Sequence, residues 1–453
     1  MKFLILDVYK NNNWRLVKDT AGGYGTGNDF GNSFFSRLIN AFVSKMISMP
    51  PMYSIYVLSI LKKREIDVSY SKNLDFNKLD NIDYVITTSS IICHETEIET
   101  LKKLVLKNKK IFVTGIFSNV MKSRYNFHKN IYVVPGEPEA FFLNVNLNKP
   151  YLDKFFNSEN LPEKLPQLVN NLDDLPFPDW FEYLKKYKLR NNFLGFNSKS
   201  AIPITATRGC PYSCFNYCTY PLQQGRKVRL RSIKNIVSEI KYWMNKIGTN
   251  KFIFRDPVFS INRKHTIELC KEIIKQNLKI EYLIETHLKN LDDEMIQLLK
   301  DSGLKMVYIG IESSNAEILK DIKRFTVAND EQQKIINKLV KNQIFVKSMF
   351  MFGNPEDTEL SIKNTIEYSM KLSNQLVQYS VFTPYPGTPI FNEYENKITE
   401  NKYEQFNQYN LTFKHDNLDN NKIKYLKNYG YKKFYFRLKN LPIILRSFFT
   451  LLR

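Results

Sequence analysis

Cys210, Cys214 and Cys218 fall within one short run, Thr207-Arg208-Gly209-Cys210-Pro211-Tyr212-Ser213-Cys214-Phe215-Asn216-Tyr217-Cys218, and are three of only five cysteines in a chain of 453 residues. Thiolates this close together read as metal ligands. A structural zinc takes four ligands, usually as two separated pairs, whereas a trio with no fourth partner nearby leaves a coordination position open for chemistry, as at one iron of an iron–sulfur cube. Gly209 and Pro211 allow the tight backbone path such a loop needs. A structural zinc or a set of buried thiols is the competing reading of the same residues. Cys93 and Cys270 stand apart, in or beside apolar helical stretches, and read as small core residues.

Two units must position this loop. Residues 1–150 alternate apolar strands, at Phe3-Leu4-Ile5-Leu6, Tyr84-Val85-Ile86-Thr87-Thr88, Lys110-Ile111-Phe112-Val113-Thr114 and Ile131-Tyr132-Val133-Val134, with helical periodicity such as Ile98, Leu101, Leu104 and Val105. That predicts a Rossmann-like α/β unit with a parallel sheet. Ligands of such sheets bind beyond the carboxyl ends of the strands, which nominates Ser89, Ser90, Gly115, Gly136 and Glu137. The glycine-rich run Ala21–Gly27 reads as a flexible lid. Residues 151–195 read as a linker, extended at Leu175-Pro176-Phe177-Pro178-Asp179-Trp180 because proline blocks helix.

Within residues 196–395 lie six apolar, β-rich runs, at 201–207, 251–255, 279–286, 305–311, 345–353 and 377–383, separated by amphipathic helices such as 232–247. This predicts a partial (β/α)6 TIM-like barrel. Barrels carry their chemistry on the loops after the strands, and the cysteine run follows the first strand. Asp256, Glu285, His287 and Glu312 come at or just beyond the ends of the next three, where ionisable groups in an apolar barrel need partners.

Taken together these runs resemble the radical S-adenosylmethionine (SAM) enzymes that carry a cobalamin-binding-type domain ahead of the barrel. The likeness covers roughly residues 175–395. It rests on the cysteine loop, Gly225-Arg226-Lys227-Val228-Arg229-Leu230-Arg231-Ser232, Phe254-Arg255-Asp256-Pro257, Glu285-Thr286-His287-Leu288, Gly310-Ile311-Glu312-Ser313, Gly353-Asn354-Pro355-Glu356-Asp357-Thr358 and Thr383-Pro384-Tyr385-Pro386-Gly387-Thr388. The cysteine spacing has one residue more than the family pattern, between Cys214 and Cys218. The resemblance implies a 4Fe-4S cluster on Cys210, Cys214 and Cys218 that binds SAM at its open iron and cleaves it reductively to a 5′-deoxyadenosyl radical. It also implies Asp256 near the SAM amino group, Glu285 and His287 near its carboxylate, and Glu312 at its ribose. In the first domain, Ser89, Ser90, Gly136 and Glu137 would line a cobalamin, although no Asp-x-His-x-x-Gly motif supplies a histidine ligand to cobalt. Methylation of an unactivated carbon is the leading expectation. A cobalamin-independent cyclisation, rearrangement or sulfur insertion is the second, and a metal-stabilised nucleic-acid-binding module the third.

The composition suits two cores, with 43% hydrophobic and 14% aromatic residues. The net charge of +21 accompanies a general excess of Lys, Asn, Ile, Phe and Tyr and no RNA-binding signature, so it argues for docking an acidic electron donor, flavodoxin or ferredoxin, more than for nucleic acid. An odd number of cysteines and no signal-like or membrane-spanning run suggest a cytoplasmic protein, and the resemblance implies a small-molecule or lipid-like substrate. The basic extension at 396–453 reads as a helical tail that either packs on the barrel or touches a membrane surface. His94, His128, His265 and His415 read as surface or capping groups.

Overall fold

In the computed structural model the described residues are 1–11, 15–28, 37, 40–41, 47–157, 165–191 and 201–437. A five-stranded parallel sheet opens the chain, in the spatial order Asp67–Ser71, Lys2–Leu6, Tyr84–Thr88, Lys110–Thr114, Ile131–Val133. The strand order reverses between Lys2–Leu6 and Tyr84–Thr88, which defines the switch-point crevice of a doubly wound fold. Asp67–Ser71 escaped the sequence reading because Asp-Val-Ser-Tyr-Ser is an edge strand with one buried residue.

The second sheet has six parallel strands in chain order, Ile202–Ile204, Lys251–Phe254, Glu281–Thr286, Leu304–Glu312, Phe345–Phe352 and Leu376–Val381. This is the expected partial barrel. Its helices follow the amphipathic pattern: Ile233–Ile247 is capped by the Ser232 hydroxyl, buries Ile236, Val237, Ile240 and Trp243, and ends at Gly248 with φ of 72°. Thr358 caps Glu359–Lys371, its hydroxyl accepting from the Ser361 amide while its own amide donates to the Ser361 hydroxyl.

An open barrel leaves an edge, and the C-terminal helix Asn420–Tyr435 covers it. Ile423, Leu426, Gly430 and Phe434 are buried, and the Tyr431 and Tyr435 hydroxyls accept from the Tyr379 and Val377 amides and donate back to those residues' carbonyls. Two phenols thus satisfy edge groups that would otherwise invite another strand. The rest of the basic tail, 438–453, lies outside the described residues. No helix among the described residues is long and apolar enough to cross a membrane.

The segment between the sheets is more ordered than a tether. Lys149–Asn157 and Trp180–Lys186 are helices; Asp179 caps the second, and Trp180 is buried with its indole donating to the Pro203 carbonyl at 3.1 Å. One apolar core therefore runs from the first sheet through Trp180 into the barrel, with a second core on the first sheet's other face. Cys93 and Cys270 are buried in these cores. Three histidines depart from the surface reading. His94 bonds the Tyr125 hydroxyl at 3.0 Å, and His265 and His415 bond the Arg231 and Asn354 carbonyls; all three are buried because ring packing or a carbonyl partner offsets their desolvation. His128 makes a local cap, accepting from the Asn130 amide.

Candidate active site at the mouth of the barrel

The cysteine loop is built by backbone. Thr207-Arg208 pairs antiparallel with Arg229-Leu230, closing the loop at its base, and Gly209 has φ of 94° where a Cβ would sit 2.1 Å from the Lys227 carbonyl oxygen. Only glycine fits there. Ser213–Asn216 forms a 3-10 turn and the Cys218 amide donates to the Cys214 carbonyl at 2.9 Å. The residue in excess of the family pattern is thereby absorbed as one helical turn, which sets the Cys214 and Cys218 thiols side by side.

The Cys214 thiol is pushed down to about 6, first by its hydrogen bond with Cys218 and then, against burial, by the Arg324 guanidinium, whose Nη1 is 3.7 Å from Sγ. Cys218 is pushed well up by the same bond, and burial raises Cys210. A ready thiolate within a thiol trio suits a cluster.

Arg324 was not singled out from the sequence. It lies in the loop after Ala316–Asp321, donates to the Gly310 carbonyl at 2.8 Å and pairs with Glu312 at 3.7 Å. A basic residue a dozen positions past a strand-end carboxylate was the only available signal. Glu312 itself ends its strand with φ of 66°, after a register shift, and burial pushes its carboxyl up to about 7 against the pull of Arg324.

Below the loop the barrel lumen holds a cavity of about 250 Å³, bounded by Cys218, Glu285, Glu312, Tyr308, Lys347 and Arg255 among others. Burial raises the Glu285 carboxyl, with Arg255, Lys347 and Arg324 opposing. Carboxylates, hydroxyls and Met349 and Met351 around one lumen fit the ammonium, ribose and adenine of SAM.

Two of the nominated residues face elsewhere. Asp256 accepts from the Ala206 amide at 3.1 Å and from that of Thr207, fixing the turn into the cysteine loop, and its burial raises it to about 6. His287 accepts at Nδ1 from the Lys289 amide, leaving Nε2 to donate to the Phe325 carbonyl at 3.0 Å. Its ring, pushed down to about 4 chiefly by burial, holds the loop that carries Arg324.

On the first domain Ser89 bonds Ser118 at 3.0 Å, and Ser90 gives its amide and hydroxyl to Glu97. Lys18 fills the switch-point crevice, donating to Glu97 at 2.7 Å and the Thr88 carbonyl at 3.1 Å. Gly136, at φ of 72°, lies against the Gln167 carbonyl, and Glu137 is clamped by Arg229 through both oxygens and by Arg208 at 3.2 Å. Arg208 also pairs with Glu139 at 2.7 Å. These four ions tie the domain to the base of the cysteine loop. The glycine-rich run is no lid: Gly22, at φ of 55°, packs so that a Cβ would lie 2.7 Å from the Thr219 carbonyl carbon, and Thr219 Oγ1 donates to the Ala21 carbonyl at 2.6 Å.

Between this domain and the loop lies a second cavity of about 50 Å³, bordered by Gly115, Gly136, Glu139, Arg208 and Gln223 and sharing Tyr220 and Arg255 with the lumen. Buried Tyr53 Oη and Glu139 Oε2 line it with no hydrogen-bond partner among the described residues. A primary amide, which both donates and accepts and which rims a corrin, would satisfy the pair. No histidine is among the described residues lining either cavity.

With the geometry in hand, the likenesses fall into place. The model of the Radical SAM superfamily matches residues 204–369. Bacteriochlorophyllide d C-12(1)-methyltransferase of Chlorobaculum tepidum is 24% identical over 391 residues, 84% of this chain and 81% of the relative. The anaerobic magnesium-protoporphyrin IX monomethyl ester cyclase of Cereibacter sphaeroides is 32% identical over 213 residues, 46% of this chain but only 34% of the cyclase. Among solved structures, the cobalamin-dependent SAM radical enzyme OxsB superposes with a TM-score of 0.64 over 94% of this chain and 66% of its own, at 12% identity. The radical SAM methyltransferase TsrM of Kitasatospora setae gives 0.61 over 87% and 76%, at 14% identity. At those identities the superpositions speak for the fold.

The fold and site together define a cluster-bearing barrel behind a doubly wound domain. Residues 204–369 are thus a radical SAM domain, which implies a 4Fe-4S cluster and SAM as cofactors, and the chain as a whole shares the fold of OxsB and TsrM.

Proposed function

We propose that the chain is a cobalamin-dependent radical SAM methyltransferase acting on an unactivated carbon of a small molecule. The observation that carries this reading is the pair of adjoining cavities, one beneath the three cysteines and one against the first domain, with Tyr220 and Arg255 as common walls. When bound, the reduced cluster and SAM supply a 5′-deoxyadenosyl radical, and the cobalamin supplies a methyl group.

Each side chain has a task in that reading. Cys210, Cys214 and Cys218 hold the cluster, and Arg324 keeps Cys214 in ligand form. Glu312 and Glu285 orient SAM, a carboxylate serving its ammonium or ribose by charge-assisted bonds. Asp256 and His287 act one step removed, fixing the entry to the cysteine loop and the Arg324 loop. Tyr53 and Glu139 meet the amide rim of the corrin, with Ser89, Ser90, Gly136 and Glu137 shaping the wall behind. The enclosing barrel and its covering helix keep water from a reactive carbon. The electron comes from an acidic donor such as flavodoxin or ferredoxin, drawn to a basic surface. The methyltransferase names among the relatives support this reading.

Anaerobic reconstitution with iron, sulfide and hydroxocobalamin tests it. The protein is expected to retain both metals, to cleave SAM when reduced, and to show cobalt(II) paramagnetic resonance without nitrogen superhyperfine splitting. Retention of iron without cobalt would favour cyclisation, rearrangement or sulfur insertion, and a colourless zinc protein would overturn the enzyme reading.

A further inference from the structure

The cysteine loop has a covered side and an open one. Thr219, next to Cys218, packs on the glycine run of the first domain. Pro211 and Ser213, which follow Cys210 and precede Cys214, are exposed. Three segments frame this open side. Residues 224–227 reach it through Arg226, which donates to the Pro211 carbonyl at 2.6 Å, and residues 287–290 through Asn290, which donates to the Tyr212 hydroxyl at 3.2 Å. Residues 322–326 reach it through the Lys323 carbonyl, which accepts from the Ser213 hydroxyl at 2.9 Å.

All three segments present charge of one sign. Arg226, Lys227, Lys289 and Lys323 are exposed, and neither these segments nor residues 210–218 contain a carboxylate. Aromatic faces hold two of the cations in place. Lys289 Nζ lies 4.4 Å from the centre of the Tyr212 ring and 4.5 Å from that of Phe325, and the Arg226 guanidinium carbon lies 5.4 Å from that of Phe215. Phe325 is itself 54% exposed, an apolar spot inside a basic rim. The adjoining helices bring acids together with their own cations: Asp292 and Glu294 share Arg263, Asp293 meets Lys338 at 2.7 Å, and Glu317 lies 4.0 Å from Lys320. Asp321 closes its helix as one acid against four rim cations. Short-lived protein encounters use such surfaces, where charge steers the approach and a small apolar contact fixes the orientation.

We propose that Arg226, Lys227, Lys289 and Lys323, set around Phe325, form the docking surface of an acidic one-electron carrier protein, which reduces the cluster through the exposed 211–213 side of the loop. One electron leaves the carrier and enters the cluster, and no bond forms or breaks in the encounter. The sign of the rim selects an acidic partner. Its position selects an electron carrier among acidic partners, because it surrounds the loop whose thiolates hold the redox centre. This inference rests on the radical-enzyme reading and gives its electron donor a place on the molecule.

Stopped-flow reduction of the reconstituted full chain by flavodoxin hydroquinone, followed as bleaching of the iron–sulfur absorption, tests it. The second-order rate for the unsubstituted protein should fall steeply with added salt. Lys227→Glu combined with Lys323→Glu should slow it about 10-fold or more at low salt and flatten the salt dependence, as loss of electrostatic steering does. Photoreduced 5-deazariboflavin, a small uncharged donor, should reduce the same variant as fast as the unsubstituted protein. Lys103→Glu combined with Lys107→Glu, exposed at the end of the first domain's helix His94–Leu106, changes the net charge equally and should leave the flavodoxin rate unaltered. An unchanged flavodoxin rate in the rim variant, an equal slowing of the small donor, or an equal slowing in the control pair would each overturn the proposal. In the first of these cases, binding of an RNA oligonucleotide that the rim variant loses would assign the rim to nucleic acid instead. SAM cleavage driven by the deazaflavin judges the enzyme reading separately: a cluster that is reduced without cleaving SAM overturns that reading and leaves the docking surface standing.

Discussion

Arg324 Nη1 lies 3.7 Å from Cys214 Sγ while Nη2 of the same guanidinium lies 3.7 Å from Glu312, so one cation spans a thiol of the cysteine loop and a carboxylate of the lumen. The cysteine loop and the end of the fourth barrel strand are thereby held as one object. His287 steadies it through the Phe325 carbonyl.

Single replacement of Cys210, Cys214 or Cys218 by Ala should abolish iron binding, measured as iron and sulfide per chain after reconstitution. Cys93→Ala and Cys270→Ala should keep iron and lose about 1 kcal/mol of stability, since each removes one buried atom from a core. A Cys218 variant with full iron would show that its extra-residue register had been misjudged.

Glu312→Ala should weaken SAM binding by on the order of 1.5–3 kcal/mol, as loss of a charge-assisted hydrogen bond does, with iron content retained. Equilibrium binding to the cluster-loaded variant decides it, and unchanged affinity would remove Glu312 from the SAM site.

His94 makes a pH prediction. Burial first, then Arg124, pushes its imidazole down to about 4, so between the ordinary value of about 6.5 and that pH the unfolded chain takes up a proton that the folded one refuses. Its contribution is present above pH 6.5 or so and is lost as pH falls toward 4, by up to about 3 kcal/mol. His94→Phe, which keeps the ring packing on Phe117 and Tyr403, should therefore flatten the acid limb of guanidinium denaturation midpoints between those pH values. A limb of unchanged steepness would assign the acid sensitivity to other groups.

Gly22→Ala should disturb the cluster from the other domain. Its Cβ has no room against Thr219 and its φ of 55° is one that alanine resists. Reduced iron occupancy with the first domain's fold intact by circular dichroism is the expected result. Full occupancy would mean the glycine run shifts without moving the cysteine loop.

Much of the barrel was legible because parallel strands buried on both faces leave long apolar runs, and Leu304–Glu312 or Phe345–Phe352 can hardly be missed. The cysteines were legible because thiols are rare and their spacing is chemical. Less visible was anything fixed by backbone amides or by distant charges. Asp256 read as a ligand carboxylate but serves the Ala206 and Thr207 amides, and Ser89 and Ser90 read as crevice residues but serve Ser118 and Glu97. Arg324 carries no motif; only the fold brings it to Cys214 and Glu312.

The ion set of Glu137, Glu139, Arg208 and Arg229 bears on ancestry and engineering. Its anions belong to the first domain and its cations to the barrel, all buried, so neither unit can be traded for its counterpart in a relative unless the matching charges travel with it. A chimaera that broke the set would strand ions in a dry seam, at a cost of roughly 3–5 kcal/mol for each broken pair. The two halves are therefore constrained to be inherited together, and recombination at this joint is filtered by charge before any question of catalysis arises.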